Sequence, residues 1–175
     1  PSANAFEQTT TTSQQVDGGA SVGATTVTVD SDATSYLNVG DIIEFSSTAS
    51  GVDFTTGEKY RITGLTATSV TIVQHPRGEG GLITAVVDNA RIKRKWRYAD
   101  QVDGAPGTSA YASARSGSND EIHVVVIDED GGVSGVPGTI LESYSKLSKA
   151  SDAKSPQGDV NYYQTVISNK SNYVF

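Results

Sequence analysis

The sequence predicts a mostly β fold of the α+β class, with a small β-barrel or β-sandwich domain followed by a domain of mixed strands and helix. Thr, Val, Ile and Tyr are frequent whereas Leu is scarce, and this composition favours strands. Short segments in which polar and apolar residues alternate recur along the chain, separated by Gly, Pro, Asn and Asp. At 175 residues the chain can form one domain or two small ones.

Composition also limits the chemistry that the chain can perform. It has no Cys, which excludes a disulfide framework, a thiolate metal site and a Cys nucleophile. Only two His residues are present, so a three-His zinc site is excluded. A net charge of −7 and the lack of a long apolar run argue against nucleic acid, against anionic membrane surfaces and against membrane insertion. We therefore expect no cofactor, no metal and no enzymatic activity.

Residues 1–20 are rich in Thr, Ser, Gln and Gly, and Phe6 and Val16 are their only sizeable apolar side chains. This composition predicts a polar linker or arm that a partner would order. Residues 21–95 then alternate polar and apolar positions and are interrupted by turn residues, including Pro76. We predict a small β-barrel-like domain here, with strands at 25–30, 41–45, 59–65, 67–74 and 82–88.

Residues 91–97, RIKRKWR, contain five of the thirteen basic residues. They contribute +5 to the net charge of −7, so the rest of the chain carries about −12. One interpretation is a phosphate or nucleic-acid patch with Trp96 as a stacking platform. We favour a strand or linker that meets acidic surface on an adjoining module or subunit, because seven residues are too few for a nucleic-acid groove. On a strand, alternate side chains share a face, which separates Ile92, Arg94 and Trp96 from Arg91, Lys93, Lys95 and Arg97.

Residues 96–175 predict a second domain of α+β type. A loop at 98–120 precedes an apolar strand at 121–128, which we expect to be central and buried on both faces. Residues 136–150 are compatible with a strand or a helix, and their alternation favours an extended segment at least as far as Tyr144. Apolar spacing predicts a helix within 159–171, with Asp159 as its N-cap, and residues 173–175 resemble the start of a strand. The absence of Met and this abrupt end lead us to expect a piece of a longer polypeptide.

No convincing active site emerges from the second domain. Glu121 and His123 share a strand face, but side chains two residues apart on a strand are about 7 Å apart, so a structural His is favoured over a hydrolase that uses His123 with Glu121 or Asp128. The acidic residues 128–130 precede two glycines and lack the distal Glu of a calcium loop. We interpret this segment as a turn.

Four segments of the second half occur in an order that is similar to the tail sheath protein of contractile-tailed bacteriophages, especially T4-like phages of cyanobacteria. They are APGTS, NDEIHVVVIDEDG, GTILESYSKLSKASDAKS and GDVNYYQTVISNKSNYVF, all within residues 98–175. The resemblance implies that residues 96–175 are part of an α+β sheath domain, and that residues 1–97 correspond to an inserted β-rich domain. The terminal arms through which sheath subunits exchange strands are not identifiable in this sequence.

The resemblance implies a structural role in the virion tail. The subunit would be made in the host cytoplasm and would assemble with other sheath subunits, the tail tube protein and the baseplate. Contraction of the sheath would then drive the tube through the host envelope. We expect the basic residues at 91–97 (Arg91, Lys93, Arg94, Lys95 and Arg97) to contact a neighbouring subunit. The alternative is a glycan-binding or surface-binding tail module, which the loop aromatics Phe54, Tyr98 and Tyr111 favour.

Overall fold

The computed structural model describes residues 3–174 and divides them into two compact units. One is Glu7–Arg97, which we call the β unit. The other combines residues 3–6 with residues 98–174, and we call it the hairpin unit. Strands make up 34% of the chain and helices 12%, and the sheets are antiparallel. The predicted mostly β, α+β class is therefore confirmed.

The β unit contains a six-stranded antiparallel sheet in the order β1-β6-β3-β4-β5-β2. Single bridges pair Gln15 with Arg91 of the sixth strand and Val16 with Val29, so the segment after β1 joins the two ends of the sheet. This pairing closes the sheet into a small barrel, which leaves few unpaired strand edges. The strands are β1 (Glu7–Thr9), β2 (Thr26–Thr28), β3 (Ile42–Ala49), β4 (Tyr60–Leu65), β5 (Ser69–Gln74) and β6 (Ala90–Lys95).

The barrel interior follows directly from the period-two alternation. Buried and less buried positions alternate along β5 and β6, so every second side chain points inward. Burial of one Val, Leu or Ile side chain stabilises a fold by about 1.5–3 kcal/mol. The inward-facing apolar side chains therefore dominate the stability of the β unit. The largest fully buried apolar residues are Val16, Val27, Leu37, Ile43, Tyr60, Ile62, Val70, Ile72, Leu82 and Ile92.

The prediction of a polar linker at 1–20 is wrong for residues 7–20, which belong to the β unit. Glu7 pairs with Lys95, and Val16 is fully buried in the core. The polar composition predicted an exposed segment, but Thr10 and Gln15 are buried because their side chains form hydrogen bonds within the barrel. The backbone N–H of Ile92 donates to Thr10 Oγ1 at 3.0 Å, and the Gln15 side chain donates to a Ser hydroxyl at 3.1 Å.

The strand predicted at 82–88 is also wrong, since the structure has only a single bridge there, between Val86 and Ala20. The apolar residues of this segment do not alternate: Leu82 and Val86 are buried, whereas Ile83 and Val87 are exposed. The backbone instead follows the loop around Ala24, whose carbonyl accepts a hydrogen bond from the Leu82 N–H at 2.9 Å. The remaining four strands predicted for this domain are present, with shifts of their ends.

The hairpin unit is organised around two long antiparallel strands, β7 (Glu121–Asp128) and β8 (Thr139–Ser148). The ends of β7 match the prediction, but its central, fully buried position does not. β7 has β8 as its one neighbour in a two-stranded sheet, and most of its side chains are half-buried. The described residues of this unit also form the α-helices α1 (Ala3–Phe6), α2 (Ala110–Ser113) and α3 (Tyr163–Lys170), and a 3-10 helix at Ala99–Gln101.

Helix α3 begins later than predicted, with Tyr162 rather than Asp159 at its N-cap. The preceding residues are held in other hydrogen bonds, because the Asp159 carbonyl accepts from the Ser155 N–H and the Asn161 carbonyl accepts from the Ser148 N–H. Residues 173–174 form no strand, and residue 175 lies outside the described residues.

The order of the chain makes the β unit an insertion within the hairpin unit. Helix α1 belongs to the hairpin unit, and the ring of Phe6 packs edge-on against His123 with centroids 5.8 Å apart. The chain enters the β unit at Glu7 and leaves it after Arg97. Its first and last strands, β1 and β6, are direct neighbours in the sheet. Entry and exit by adjacent strands is the arrangement that lets one domain interrupt another.

Candidate functional site

Residues 91–95 of the basic stretch lie on strand β6, and their side chains alternate between two faces as predicted. Arg91, Lys93 and Lys95 are half-buried, whereas Ile92 and Arg94 are buried on the barrel side. The strand ends at Lys95, so Trp96 and Arg97 lie beyond it.

Three of the five predicted contact residues form ion pairs inside the β unit. Lys93 Nζ lies 3.1 Å from Glu44 Oε2. Lys95 Nζ lies 3.2 Å from Glu7 Oε2, and this pair is the most exposed of the three. The Lys93 ammonium also lies 4.6 Å from the centre of the Phe54 ring, a cation–π contact. The cationic face of β6 is therefore matched largely by carboxylates of its own barrel.

The ion pair between Arg94 and Asp41 is the buried one of the three, with Arg94 Nη1 3.6 Å from Asp41 Oδ2. The exposed fractions of their side chains are 10% and 2%. Burial raises the pKa of Asp41, although the charges of Arg94 and Arg97 and the hydrogen bonds from Asn38 oppose this rise. A carboxylate with so little exposure to water is destabilising unless a cation lies beside it. Arg94 therefore stabilises the charge of Asp41 inside the barrel.

Arg97 remains exposed, and its side chain lies against Gly40. Gly40 has a φ of +94°, and a Cβ there would lie 3.1 Å from Arg97 Nε. The backbone conformation and the close approach both favour glycine at this position. The ion pairs of Lys93 and Arg94 also give these two residues a role within the barrel. The contact with a neighbouring subunit remains a prediction for all five basic residues, Arg91, Lys93, Arg94, Lys95 and Arg97.

His123 is a buried structural residue in this fold. Its exposed fraction is 2%, and both ring nitrogens are engaged. Nδ1 accepts a hydrogen bond from the Lys146 N–H at 3.0 Å, and Nε2 lies 3.0 Å from the Gly104 carbonyl oxygen, to which it donates. Burial lowers the pKa of His123, so the neutral ring is favoured. A ring held in this way has no free nitrogen with which to act as a general base.

The two carboxylates considered with His123 are also occupied by backbone donors. Glu121 Oε2 accepts from the Gly107 N–H at 2.9 Å. Asp128 Oδ2 accepts from the Ser134 hydroxyl at 2.7 Å and from the N–H groups of Ser134 and Val133. These bonds, with that from the Ser134 side chain foremost, lower the pKa of Asp128. The predicted turn at this position is confirmed, and among residues 3–174 no cluster of three or more potential metal ligands occurs.

One buried carboxylate was not anticipated from the sequence. Asp120 accepts hydrogen bonds from the Ser109 N–H and hydroxyl, both at 2.8 Å, and from the Ser148 hydroxyl. Burial alone would raise the pKa of Asp120, but the bonds from Ser148 and Ser109 outweigh it and lower the pKa. This side chain ties the loop before β7 to the end of β8. The one feature of the sequence that could have indicated this contact is the N-cap pattern at Ser109, whose hydroxyl accepts a hydrogen bond from the Ala112 N–H.

A groove of about 440 Å³ lies on the hairpin unit beside these residues, and we call it the lysine groove. Its walls combine apolar surface with two ammonium groups and a carboxylate. Neither lysine takes part in an ion pair within residues 3–174. The residues that define its character are Tyr111, Glu121, Lys146, Lys154, Pro156 and Asn161.

The loop aromatics that favoured a glycan-binding module are engaged within the chain. The Arg115 guanidinium lies 3.6 Å from the centre of the Tyr111 ring, and the Tyr111 hydroxyl donates to Asp152 Oδ2 at 3.0 Å. Phe54 lies beneath Lys93. A cation covers one face of each of these two rings, and the glycan-binding alternative stays a prediction.

No protein-family model matches the chain, and no curated protein matches it either. Within the described part of the chain, no helix combines the length and the apolar character needed to cross a membrane.

Proposed function

We propose that the chain is a structural subunit of a contractile phage tail sheath, which surrounds the tail tube and drives it through the host envelope on contraction. The four ordered segments within residues 98–175 support this proposal by their resemblance to that family. In this proposal the chain has no catalytic role, and its partners are other copies of itself, the tube protein and the baseplate.

The observation that carries the proposal furthest is the insertion of the β unit within the hairpin unit. Sheath proteins, as the resemblance implies, bear a β-rich inserted domain next to an α+β domain that forms the sheath. Here residues 7–97 form a barrel that interrupts the other unit, and the strands by which the chain enters and leaves it are paired, Glu7 with Lys95. An insertion built in this way can vary without disturbing the unit that carries it.

The charge distribution suits a lattice that rearranges. The barrel pairs Lys93 with Glu44 and Arg94 with Asp41 internally, so its strongest ion pairs are not available to hold neighbouring subunits together. Contacts between subunits are then left to polar groups and to solvent-exposed charges, whose interactions can break and re-form at little cost.

Immunogold electron microscopy tests the proposal. Antibodies raised against the chain are applied to contractile-tailed particles from the source of the sequence, in extended and in contracted form. Gold along the whole tail, over a length that shortens on contraction, is the expected result. Antibody absorbed beforehand with the purified chain is the control.

Gold confined to fibres or to the tail tip would overturn the sheath proposal and favour a surface-binding module. Gold on the capsid, or particles without gold after the tails have been opened with mild detergent, would overturn it as well.

A further inference from the structure

The lysine groove and the acidic turn that connects β7 to β8 lie at opposite ends of the same hairpin. The acidic turn comprises residues 129–138. Glu121, at the start of β7, lines the groove, and Asp128, at its end, precedes the turn. Seven steps of an extended strand separate these two residues by roughly 23 Å. The turn of one molecule therefore cannot reach the groove of that same molecule.

The backbone of Lys146 is fixed in a costly conformation at the edge of the groove. Lys146 has a φ of +53°, a left-handed value that β-strand residues other than Gly rarely adopt. It occupies an irregularity in the pairing of β7 with β8, and such bulges redirect side chains. Its N–H donates to His123 Nδ1, and its carbonyl accepts from Asn161 Nδ2 at 3.1 Å. The buried ring of His123 and the side chain of Asn161 thus hold the backbone of Lys146 where this residue lines the groove.

The charges of the lysine groove favour the binding of an acidic peptide segment. Lys146 and Lys154 carry two positive charges that no carboxylate of residues 3–174 neutralises by an ion pair. The single carboxylate that lines the groove, Glu121, accepts a hydrogen bond from a backbone N–H. Tyr111 and Pro156 add apolar wall.

The acidic turn has the complementary character. Glu129 and Asp130 are exposed, and they precede two exposed apolar side chains, Val133 and Val136, whose exposed fractions are 61% and 62%. Asp128 shapes the turn from within by accepting three hydrogen bonds. Two exposed carboxylates and two exposed apolar side chains on the turn are complementary to two ammonium groups without ion-pair partners and an apolar wall in the groove.

We propose that the lysine groove of one copy of this chain receives the acidic turn of a second copy. The two surfaces differ, so the contact is head-to-tail, and repetition of it generates a ring or a helical array rather than a closed two-fold dimer. The inference rests on the proposed function in that it supplies a contact between adjoining subunits. The exposed ion pairs make the contact weak and sensitive to salt.

Reciprocal charge reversal in the full chain tests the contact. The first variant carries Lys146→Glu and Lys154→Glu, and the second carries Glu129→Lys and Asp130→Lys. Sedimentation equilibrium at low ionic strength measures association over a range of concentrations. We expect the wild-type chain to associate and each variant alone to weaken at least tenfold, because groove and turn then have like charges.

An equimolar mixture of the two variants restores opposite charges across the contact and should recover association. The matched control reverses two exposed lysines outside the groove, Lys59→Glu and Lys149→Glu, and should associate as the wild type does. Circular dichroism of every variant verifies that the fold is retained.

Zero-length carbodiimide cross-linking locates the contact. Equal amounts of ¹⁵N-labelled and unlabelled chain are mixed, and mass spectrometry identifies peptides that join a heavy to a light copy. We expect links from Lys146 or Lys154 to Glu129 or Asp130.

A wild-type chain that stays monomeric and gives no such links would overturn the proposal, as would association that the mixed variants fail to restore. Binding of a poly-glutamate peptide to the groove without self-association would overturn it in favour of another acidic partner. If these association experiments fail but immunogold labels the whole tail, only this contact is rejected. If immunogold labels another part of the particle, the sheath function is rejected whatever the cross-links show.

Discussion

His123 Nδ1 lies 3.0 Å from the backbone nitrogen of Lys146, so a buried imidazole on β7 holds the one residue of β8 with a positive φ. This hydrogen bond requires Nδ1 to be unprotonated, while Nε2 donates to the Gly104 carbonyl. Among residues 3–174, the charge of Glu121 raises the pKa of the ring and the charge of Lys146 lowers it. The conformation of β8 at the groove is therefore linked to the protonation state of His123.

Stability of the hairpin unit should fall in mild acid. The pKa of His123 in the folded state lies below its ordinary value of 6.5, so the unfolded chain takes up the proton first as the pH is lowered. The contribution of the neutral ring is fully present above about pH 6.5 and is lost as the pH falls from there towards the folded pKa. Amide hydrogen exchange of β7 and β8, converted to opening free energies at each pH, measures this loss.

The variant His123→Gln supplies the control for that experiment. Its amide oxygen can accept from the Lys146 N–H and its amide nitrogen can donate to the Gly104 carbonyl, but it does not titrate. We expect the dependence of opening free energy on pH between 6.5 and 5 to become shallower. Equal slopes in wild type and variant would show that His123 does not govern this range.

Val16→Ala should destabilise the β unit by about 2 kcal/mol, because it removes two methyl groups from a fully buried site and leaves a small cavity. Val22→Ala is the matched control: that side chain is 65% exposed, and its loss should change stability by less than about 0.5 kcal/mol. Urea unfolding followed by the fluorescence of Trp96, the only Trp in the chain, measures both. Equal effects would mean that residues 7–20 are not part of the core.

Arg94→Ala should destabilise the β unit by about 3–5 kcal/mol, because it leaves the Asp41 carboxylate buried without its cation. Lys95→Ala removes a partly exposed pair with Glu7 and should cost about 0–1 kcal/mol. The same fluorescence measurement distinguishes the two. If Arg94→Ala were as mild as Lys95→Ala, the Arg94–Asp41 pair would not be a structural element of the barrel.

Asp120→Asn should weaken the hairpin unit by about 1–3 kcal/mol. The amide has one acceptor oxygen where the carboxylate has two. Either the Ser109 N–H, which donates to Oδ1, or the Ser109 and Ser148 hydroxyls, which both donate to Oδ2, therefore lose their acceptor. Asp159→Asn, at an exposed position of the same unit, should have little effect. Hydrogen exchange of the β7 and β8 amides provides the readout, and similar protection in the two variants would contradict the anchoring role of Asp120.

The period-two pattern was informative wherever one face of a strand meets a core. β4 and β7 occur where alternation predicted them, and the two faces of β6 separate Ile92 from Lys93 as expected. The pattern failed at 82–88, where apolar residues contact the core singly from a loop. It also failed at 7–20, where the buried polar side chains of Thr10 and Gln15 are stabilised by hydrogen bonds whose partners lie far along the chain.

The sequence by itself determined the mostly β class, the excluded chemistries, the alternation of β6 and the ends of β7, because these depend on residue type and on neighbours along the chain. The tertiary structure decided which charges are matched. Lys93 and Glu44, 49 positions apart, become an ion pair only when β3 and β6 align, and Lys146 and Lys154 remain unmatched because the fold brings no carboxylate close enough for an ion pair within the described residues. Electrostatic pairing acts over a few ångströms in space, and a sequence records only separation along the chain.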